Sequence, residues 1–265
     1  MHDPALAGCY VISLRPTGQH EAMRRAAVAR GARLLALSPW KIVVREDAET
    51  LRCLRAALAC ALVVATSPNA VRAAAALQPL RMRRGQQWLA VGEGTARALA
   101  RAGIAHALAP ARMDSDGLLA LPALHGLSGR DVGLLTAPGG RGVIAPELQR
   151  RGARIARADV YARVPVALAH RSVSALIGLR APAWLALSSG EALACVLAQL
   201  PSGAAKALRR ARVAAASERL VELAHAQGFS DVVVATSARP RDLVAAMAGD
   251  ASASMRGIAS PVPIP

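Results

Sequence analysis

Five short stretches of this sequence carry side chains able to bind or protonate an acidic ligand. In Ala65-Thr66-Ser67-Pro68-Asn69-Ala70-Val71, Ser67 suits a helix N-cap and Pro68 the first helical position. The free N–H groups and positive dipole end of such a helix make an anion site. Ser188-Ser189-Gly190-Glu191-Ala192 offers the same capping chemistry. In Val91-Gly92-Glu93-Gly94-Thr95-Ala96, Gly92 permits close backbone approach and Thr95 can donate to an acid. Arg15, in Leu14-Arg15-Pro16-Thr17-Gly18, can fork onto a carboxylate. Tyr161 carries a phenol that can give a hydrogen bond or a proton. Taken singly, each stretch also fits a structural part: a capped helix, a strand-to-helix turn, a packed aromatic.

Other chemistries lack their residues. No P-loop, HExxH or GxSxG run occurs, and the glycines after Val91 do not complete G-x-G-x-x-G. The four cysteines, Cys9, Cys53, Cys60 and Cys195, form no CxxC pair and have no histidine cluster beside them, so they read as small buried residues rather than disulfide or zinc ligands. His20, His106, His125, His170 and His225 stand in no Ser/Asp arrangement and are read as non-catalytic. No zinc-ligand spacing is therefore read in the sequence.

The net charge of +16 rests almost entirely on arginine, with Lys41 and Lys206 the lysines. An anionic partner explains it, and so does a composition rich in Ala and Arg. The arginines are scattered rather than gathered in an arm, and one Phe, two Tyr and three Trp are too few for a base-stacking platform. A nucleic-acid partner is not expected. The longest apolar stretch, 56–71, is interrupted by Thr66-Ser67-Pro68-Asn69, so no membrane span is expected. Met1-His2-Asp3-Pro4 has no basic n-region, so the expected compartment is the cytoplasm.

The elements that would position these residues alternate. Tyr10-Val11-Ile12-Ser13-Leu14 reads as a strand and residues 18–30 as a helix ended by Gly31. Further strands are expected at 32–37, 41–45, 61–65, 87–91, 104–109, 131–136, 154–161, 183–187, 211–215 and 231–235, with helical periodicity between most of them. This is an α/β pattern of parallel sheets covered on both faces. The chain also repeats itself: Arg30-Gly31-Ala32-Arg33-Leu34 returns as Arg151-Gly152-Ala153-Arg154-Ile155, and Leu99-Ala100-Arg101-Ala102-Gly103 as Ala224-His225-Ala226-Gln227-Gly228. A repeat this long means two similar domains rather than a solenoid. Residues 251–265, with three prolines, read as a disordered tail.

In order and register, several of these motifs resemble the uroporphyrinogen-III synthase family over residues 9–248. They are Leu14-Arg15-Pro16, the run from Thr66 to Val71, Val91-Gly92 with Thr95-Ala96 and Gly103, Ser115-Asp116-Gly117-Leu118-Leu119, Arg151-Gly152-Ala153 and Val160-Tyr161. The resemblance implies two flavodoxin-like domains, 1–37 with 166–250 and 44–158, joined by linker strands 38–43 and 159–165 that form a two-stranded β-ladder. It implies cyclisation of hydroxymethylbilane, a linear tetrapyrrole with eight carboxylates, to uroporphyrinogen III with inversion of the terminal ring and loss of water. No cofactor is implied. The partners implied are the tetrapyrrole and hydroxymethylbilane synthase, which hands it over to a monomeric enzyme. Tyr161 would assist departure of the hydroxyl. The carboxylates would be bound by Arg15, Thr66, Ser67, Asn69, Gly92, Thr95, Ser188, Ser189 and Ser217, and by Arg141 in Ala137-Pro138-Gly139-Gly140-Arg141. Two stretches depart from the family pattern: Ser217-Glu218-Arg219-Leu220 stands where a Gly-x-x-Thr turn is common, and Arg141 where Arg-Gly is usual. From the residues alone, a non-catalytic two-domain sensor of a small anionic ligand stays open beside the lyase.

Overall fold

The computed structural model describes residues 5–112, 114–139 and 142–257. Twelve strands are described: β1 (Tyr10–Ser13), β2 (Arg33–Ala36), β3 (Trp40–Val44), β4 (Leu62–Ala65), β5 (Gln87–Ala90), β6 (Ala107–Leu108), β7 (Asp131–Thr136), β8 (Arg154–Asp159), β9 (Tyr161–Pro165), β10 (Ala183–Leu187), β11 (Arg212–Ala215) and β12 (Val232–Val234). The helices are α1 (Glu21–Val28), α2 (Ala48–Ala59), α3 (Pro68–Leu77), α4 (Glu93–Arg101), α5 (Ser115–Leu119), α6 (Ile144–Arg150), α7 (His170–Gly178), α8 (Gly190–Gln199), α9 (Ser202–Arg209), α10 (Glu218–Ala226) and α11 (Pro240–Gly257).

The chain divides between Lys41 and Ile42, and again between Val164 and Pro165, into two compact units. The first unit holds a five-stranded parallel sheet in the order β12-β11-β10-β1-β2. The second holds another in the order β6-β5-β4-β7-β8. β3 and β9 form a separate two-stranded sheet. The N–H of Arg45 bonds to the Val160 carbonyl and that of Val166 to the Pro39 carbonyl, so this ladder runs antiparallel.

The repeat is divided between these two sheets. Tyr10 of β1 stands 121 residues before Asp131 of β7, and Gln87 of β5 stands 125 before Arg212 of β11. The strands are thus two runs of six, yet each sheet takes two strands from one run and three from the other. Counted along its own chain, the first unit has the flavodoxin-like order 2-1-3-4-5. The second has the same order once counting starts at β7.

Burial follows the expected pattern for parallel strands. All four residues of β4 are buried. Val63 and Ala65 join a core with Trp88 and Leu99, while Leu62 and Val64 join another with Leu134 and Leu148. One strand thus fills both faces of its sheet through its two-residue period. In the first unit, Val11, Met23, Trp184, Leu243 and Met247 form a core of the same kind. The repeated Arg-Gly-Ala and Gly103/Gly228 signals are one device. Gly31, Gly103, Gly152 and Gly228 have φ of 80°, 95°, 86° and 86°. In each case the next residue's N–H reaches five residues back: Ala32 to Ala27, Ile104 to Leu99, Ala153 to Leu148 and Phe229 to Ala224. That bond closes a helix in the left-handed conformation glycine favours.

Some boundaries differ from expectation. α1 begins at Glu21 rather than 18, because Gln19 N–H bonds back to the Pro16 carbonyl and Gly18 has a φ of 77°. The strand expected at 154–161 is two strands. Val160 is the switch: its N–H bonds to Thr136 on the sheet side, and its carbonyl accepts from Arg45 on the ladder side. The strand expected at 104–109 shrinks to Ala107–Leu108. The tail expected from 251 begins as helix, since α11 runs to Gly257. The alanines and Met255 there are good helix formers, and the prolines that suggested disorder lie beyond, outside the described residues.

Candidate functional site

In the second unit the chain runs from β4 outward to β5 and β6 on one side, and β7 and β8 lie on the other. The gap between the carboxyl ends of β4 and β7 is therefore a topological switch point, where open α/β sheets bind ligands. A cavity of about 180 Å³ opens there, lined among others by Thr66, Ser67, Thr136, Arg157, Tyr161 and Arg163.

Thr66 ties the two strand ends together. Its N–H bonds to the Leu135 carbonyl at 3.0 Å. Its Oγ1 lies 3.1 Å from that carbonyl and 3.0 Å from Thr136 Oγ1. Ser67 is the N-cap of α3, with extended backbone, and its Oγ accepts the Ala70 N–H at 3.0 Å. Tyr161 opens β9 and is 5% exposed, its ring packed in the core with Val63, Trp88 and Val160. Its hydroxyl lies 3.3 Å from Ser67 Oγ. An apolar body with its polar tip at a cavity is the usual economy of a tyrosine.

The structure thus gathers Thr66, Ser67 and Tyr161 at one cavity. Val91, lining it, precedes Gly92, the N-cap of α4. Gly92 is extended at φ −179°, and Thr95 is buried, 2% exposed; neither lines the cavity. Asn69 also stays out of the lining and accepts from Arg72 through Oδ1. Arg141 lies outside the described residues, although Gly139 and Gly142 both line the cavity.

Sequence reasoning missed Ser115, Thr136, Arg157 and Arg163. Two-step spacing puts Arg163 on the face of Tyr161 within β9, but Arg157 carries no such signal, since Val160 and Tyr161 are both buried where β8 gives way to β9. Arg157 is not idle charge. It forks onto Asp159 at 3.0–3.1 Å and reaches the Ala137 carbonyl at 3.4 Å.

The remaining residues belong to the first unit, on loops that follow β1, β10 and β11. Arg15 donates through Nη2 to the Ala238 carbonyl at 3.3 Å. Its Nε is buried with no hydrogen-bond acceptor, and burial holds its guanidinium below the ordinary arginine range. Ser189 caps α8, its Oγ accepting the Ala192 N–H at 3.2 Å, as Ser67 does for α3. Ser188 beside it is exposed. Ser217 is the exposed N-cap of α10, but its side chain makes no cap bond. His20, set aside on sequence, is buried between Ser13 Oγ at 3.0 Å and Ser38 Oγ at 2.7 Å. Burial, then the charges of Arg15 and Arg24, push its pKa down. Among the described residues no group of three or more His, Cys, Asp or Glu could hold a metal ion.

The family model for uroporphyrinogen-III synthase HemD matches residues 21–245. This chain belongs to the uroporphyrinogen-III synthase family. It is 30% identical to the uroporphyrinogen-III synthase of Escherichia coli K12 over 153 residues, 57% of this chain and 62% of that protein. With the enzyme of Salmonella typhimurium LT2 it shares 30% identity over 125 residues, 47% and 51% of the two chains. The matched segments thus span about half to three fifths of these curated relatives. Among solved structures of the family, a mutant uroporphyrinogen III synthase from the extremely thermophilic bacterium Thermus thermophilus aligns with a TM-score of 0.61 at 20% identity, covering 94% of this chain and 99% of that one. The synthetase of Helicobacter pylori 26695 aligns with a TM-score of 0.58 at 14% identity, covering 93% and 99%. These likenesses show the fold: two flavodoxin-like parallel-sheet domains. No helix among the described residues is long and apolar enough to cross a membrane.

Proposed function

We propose that this chain cyclises hydroxymethylbilane to uroporphyrinogen III, a hydro-lyase reaction with inversion of the terminal ring. Membership of the family supports the reading. The observation that carries it is the Tyr161 hydroxyl, 3.3 Å from Ser67 Oγ, at the switch-point cavity of the second unit.

The C–O bond of the terminal hydroxymethyl group breaks and both electrons leave with oxygen. The adjoining pyrrole nitrogen supplies the electron pair that makes an azafulvene cation. Tyr161 donates its hydroxyl proton to the departing oxygen, so that water leaves. The far ring attacks through its substituted carbon to give a spiro intermediate. The original bond from that carbon to its bridging methylene then breaks, its electrons returning to the spiro ring while the neighbouring pyrrole nitrogen stabilises the methylene as a second azafulvene cation. The freed ring inverts, and its free carbon bonds to that methylene. The proton lost there restores the phenol, and the balance is uroporphyrinogen III plus water.

The protein's main task is geometric. An unassisted bilane closes without inversion, so the enzyme must hold the flexible chain in the curl that favours the spiro carbon. Carboxylates are the handles. In the second unit, Thr66, the α3 terminus at Ser67, Arg157 and Arg163 bind one acid arm, and Gly92 with Thr95 opens a neighbouring helix. In the first unit, Arg15, Ser188, Ser189 and Ser217 take others. Arg15 supports this as a cation on the loop after β1, anchored through Nη2 on the Ala238 carbonyl.

The enzyme works in the cytoplasm as a monomer and receives its short-lived substrate from hydroxymethylbilane synthase. Chromatographic analysis of the uroporphyrinogen isomers formed from freshly generated hydroxymethylbilane tests the reading. Formation of isomer III supports it, and isomer I alone refutes it.

A further inference from the structure

We infer that Ser67 is a positioning residue for Tyr161. It donates its own hydroxyl hydrogen to the phenol oxygen, so that the phenol hydrogen is left for the substrate. This rests on the role proposed for Tyr161 and goes beyond it by fixing which way the hydrogens run.

A serine hydroxyl has one hydrogen and two lone pairs. At Ser67 one lone pair is committed, because the Ala70 N–H can only donate and sits 3.0 Å from Oγ. The contact with Tyr161 Oη at 3.3 Å can then run in two directions. If tyrosine donates, Ser67 Oγ accepts twice and the phenol hydrogen is spent inside the protein. If serine donates, the chain reads Ala70 N–H to Ser67 O–H to Tyr161 O–H, with the last hydrogen free.

Two features favour the second direction. Accepting the Ala70 N–H draws electron density from Oγ and makes the serine a better donor, the usual cooperativity of hydrogen-bond chains. Ser67 also caps α3, a ten-residue helix whose positive end lies at this terminus. That field favours negative charge on the phenol oxygen as its proton moves to the leaving hydroxyl. The arrangement also answers why a side chain already used as a cap stands against a tyrosine 94 positions away in sequence. The cap fixes Oγ, and the fixed Oγ orients the phenol.

The test separates this role from capping. Glycine at an N-cap costs only a few tenths of a kcal/mol relative to serine but has no hydroxyl. Threonine keeps both cap and donor. Turnover at saturating hydroxymethylbilane, scored as isomer III, is measured for Ser67→Gly, Ser67→Thr, Tyr161→Phe and the Ser67→Gly/Tyr161→Phe double variant, with melting temperature as the control for folding. The relay predicts that Tyr161→Phe lowers turnover about 100-fold, the scale of a general acid. Ser67→Gly lowers it about 10-fold with little change in KM or melting temperature, and Ser67→Thr lowers it less than threefold. In the Tyr161→Phe background, Ser67→Gly has no further effect on turnover, the non-additivity of a coupled pair. Equal losses from Ser67→Gly in both backgrounds, or full turnover in Ser67→Gly while Tyr161→Phe is impaired, would overturn the relay and leave the functional reading standing. Full turnover in Tyr161→Phe would remove Tyr161 from the mechanism and the relay with it, and absence of isomer III from the unmodified protein would end both.

Discussion

The guanidinium of Arg15, on the first βα loop of the chain, donates to the carbonyl of Ala238, on the last, 223 positions away and 3.3 Å distant. The two ends of the first unit's sequence are thus joined at the carboxyl end of its sheet. One bond does not satisfy this guanidinium, whose Nε stays buried without an acceptor. Arg15→Ala should therefore raise KM about 10- to 100-fold, the worth of a charge-assisted hydrogen bond to a carboxylate, with turnover changed less than about threefold. Arg15→Lys should recover little of it, because an ammonium cannot reproduce the planar fork. Steady-state kinetics of the two variants check this, and an unchanged KM in Arg15→Ala would remove Arg15 from the binding site.

His20 makes stability depend on pH in a stated direction. Burial and the nearby Arg15 and Arg24 hold its folded pKa below the ordinary value of about 6.5. As pH falls, the unfolded chain therefore takes up this proton before the folded one does. The stability is whole above about 6.5 and is lost as the pH drops from there toward the folded value. The variant His20→Gln should lose about 1 kcal/mol at pH 7.5, from its weaker bridge to Ser13 and Ser38. Between pH 7.5 and 5.5 its melting temperature should fall less than that of the unmodified protein. Parallel falls in both would show that His20 is not the group responsible.

Gln86 is a buried polar residue with every bond made. Its Nε2 donates to the carbonyls of Leu58 and Cys60 at 3.0 and 2.9 Å. Its Oε1 accepts from Trp88 Nε1 at 2.9 Å and from the Arg83 N–H at 3.1 Å. Gln86→Leu would strand a buried indole N–H and two carbonyls at once. It should destabilise the second unit by about 2–4 kcal/mol, more than truncation of an exposed glutamine such as Gln149. Calorimetric melting of the two variants compares them directly.

The elements were legible because their physics is local. β4 reads Leu-Val-Val-Ala and is buried throughout, and Ser67-Pro68 marks the start of α3 as both residues suggest. Val160 was not legible as a break, because the sequence there continues to read as strand. Only the competing partners, Thr136 on one side and Arg45 on the other, divide it. The period of about 121 was visible, but not the exchange by which β1 and β2 sheet with β10. Pairing of Tyr10 with Ala183, 173 positions on, leaves no local trace, and that exchange was implied by the family resemblance alone. At the site, the hydroxyls beside helix starts announced themselves. Arg157 and Thr136 did not, because one looks like any exposed-strand arginine and the other like a strand end. Thr95 was read as a ligand donor from its type, and its burial, 2% exposed, comes from packing no motif records.

On the proposed function, this chain inverts the last ring of a linear tetrapyrrole before closing it. The most direct measurement supplies hydroxymethylbilane at a constant rate and follows the ratio of uroporphyrinogen III to I as the protein concentration rises. Catalysed inversion makes isomer III climb from trace to nearly the whole product, with Tyr161→Phe needing far more protein to reach the same ratio. A product that stays isomer I at every protein concentration, formed at the unassisted rate, would contradict it.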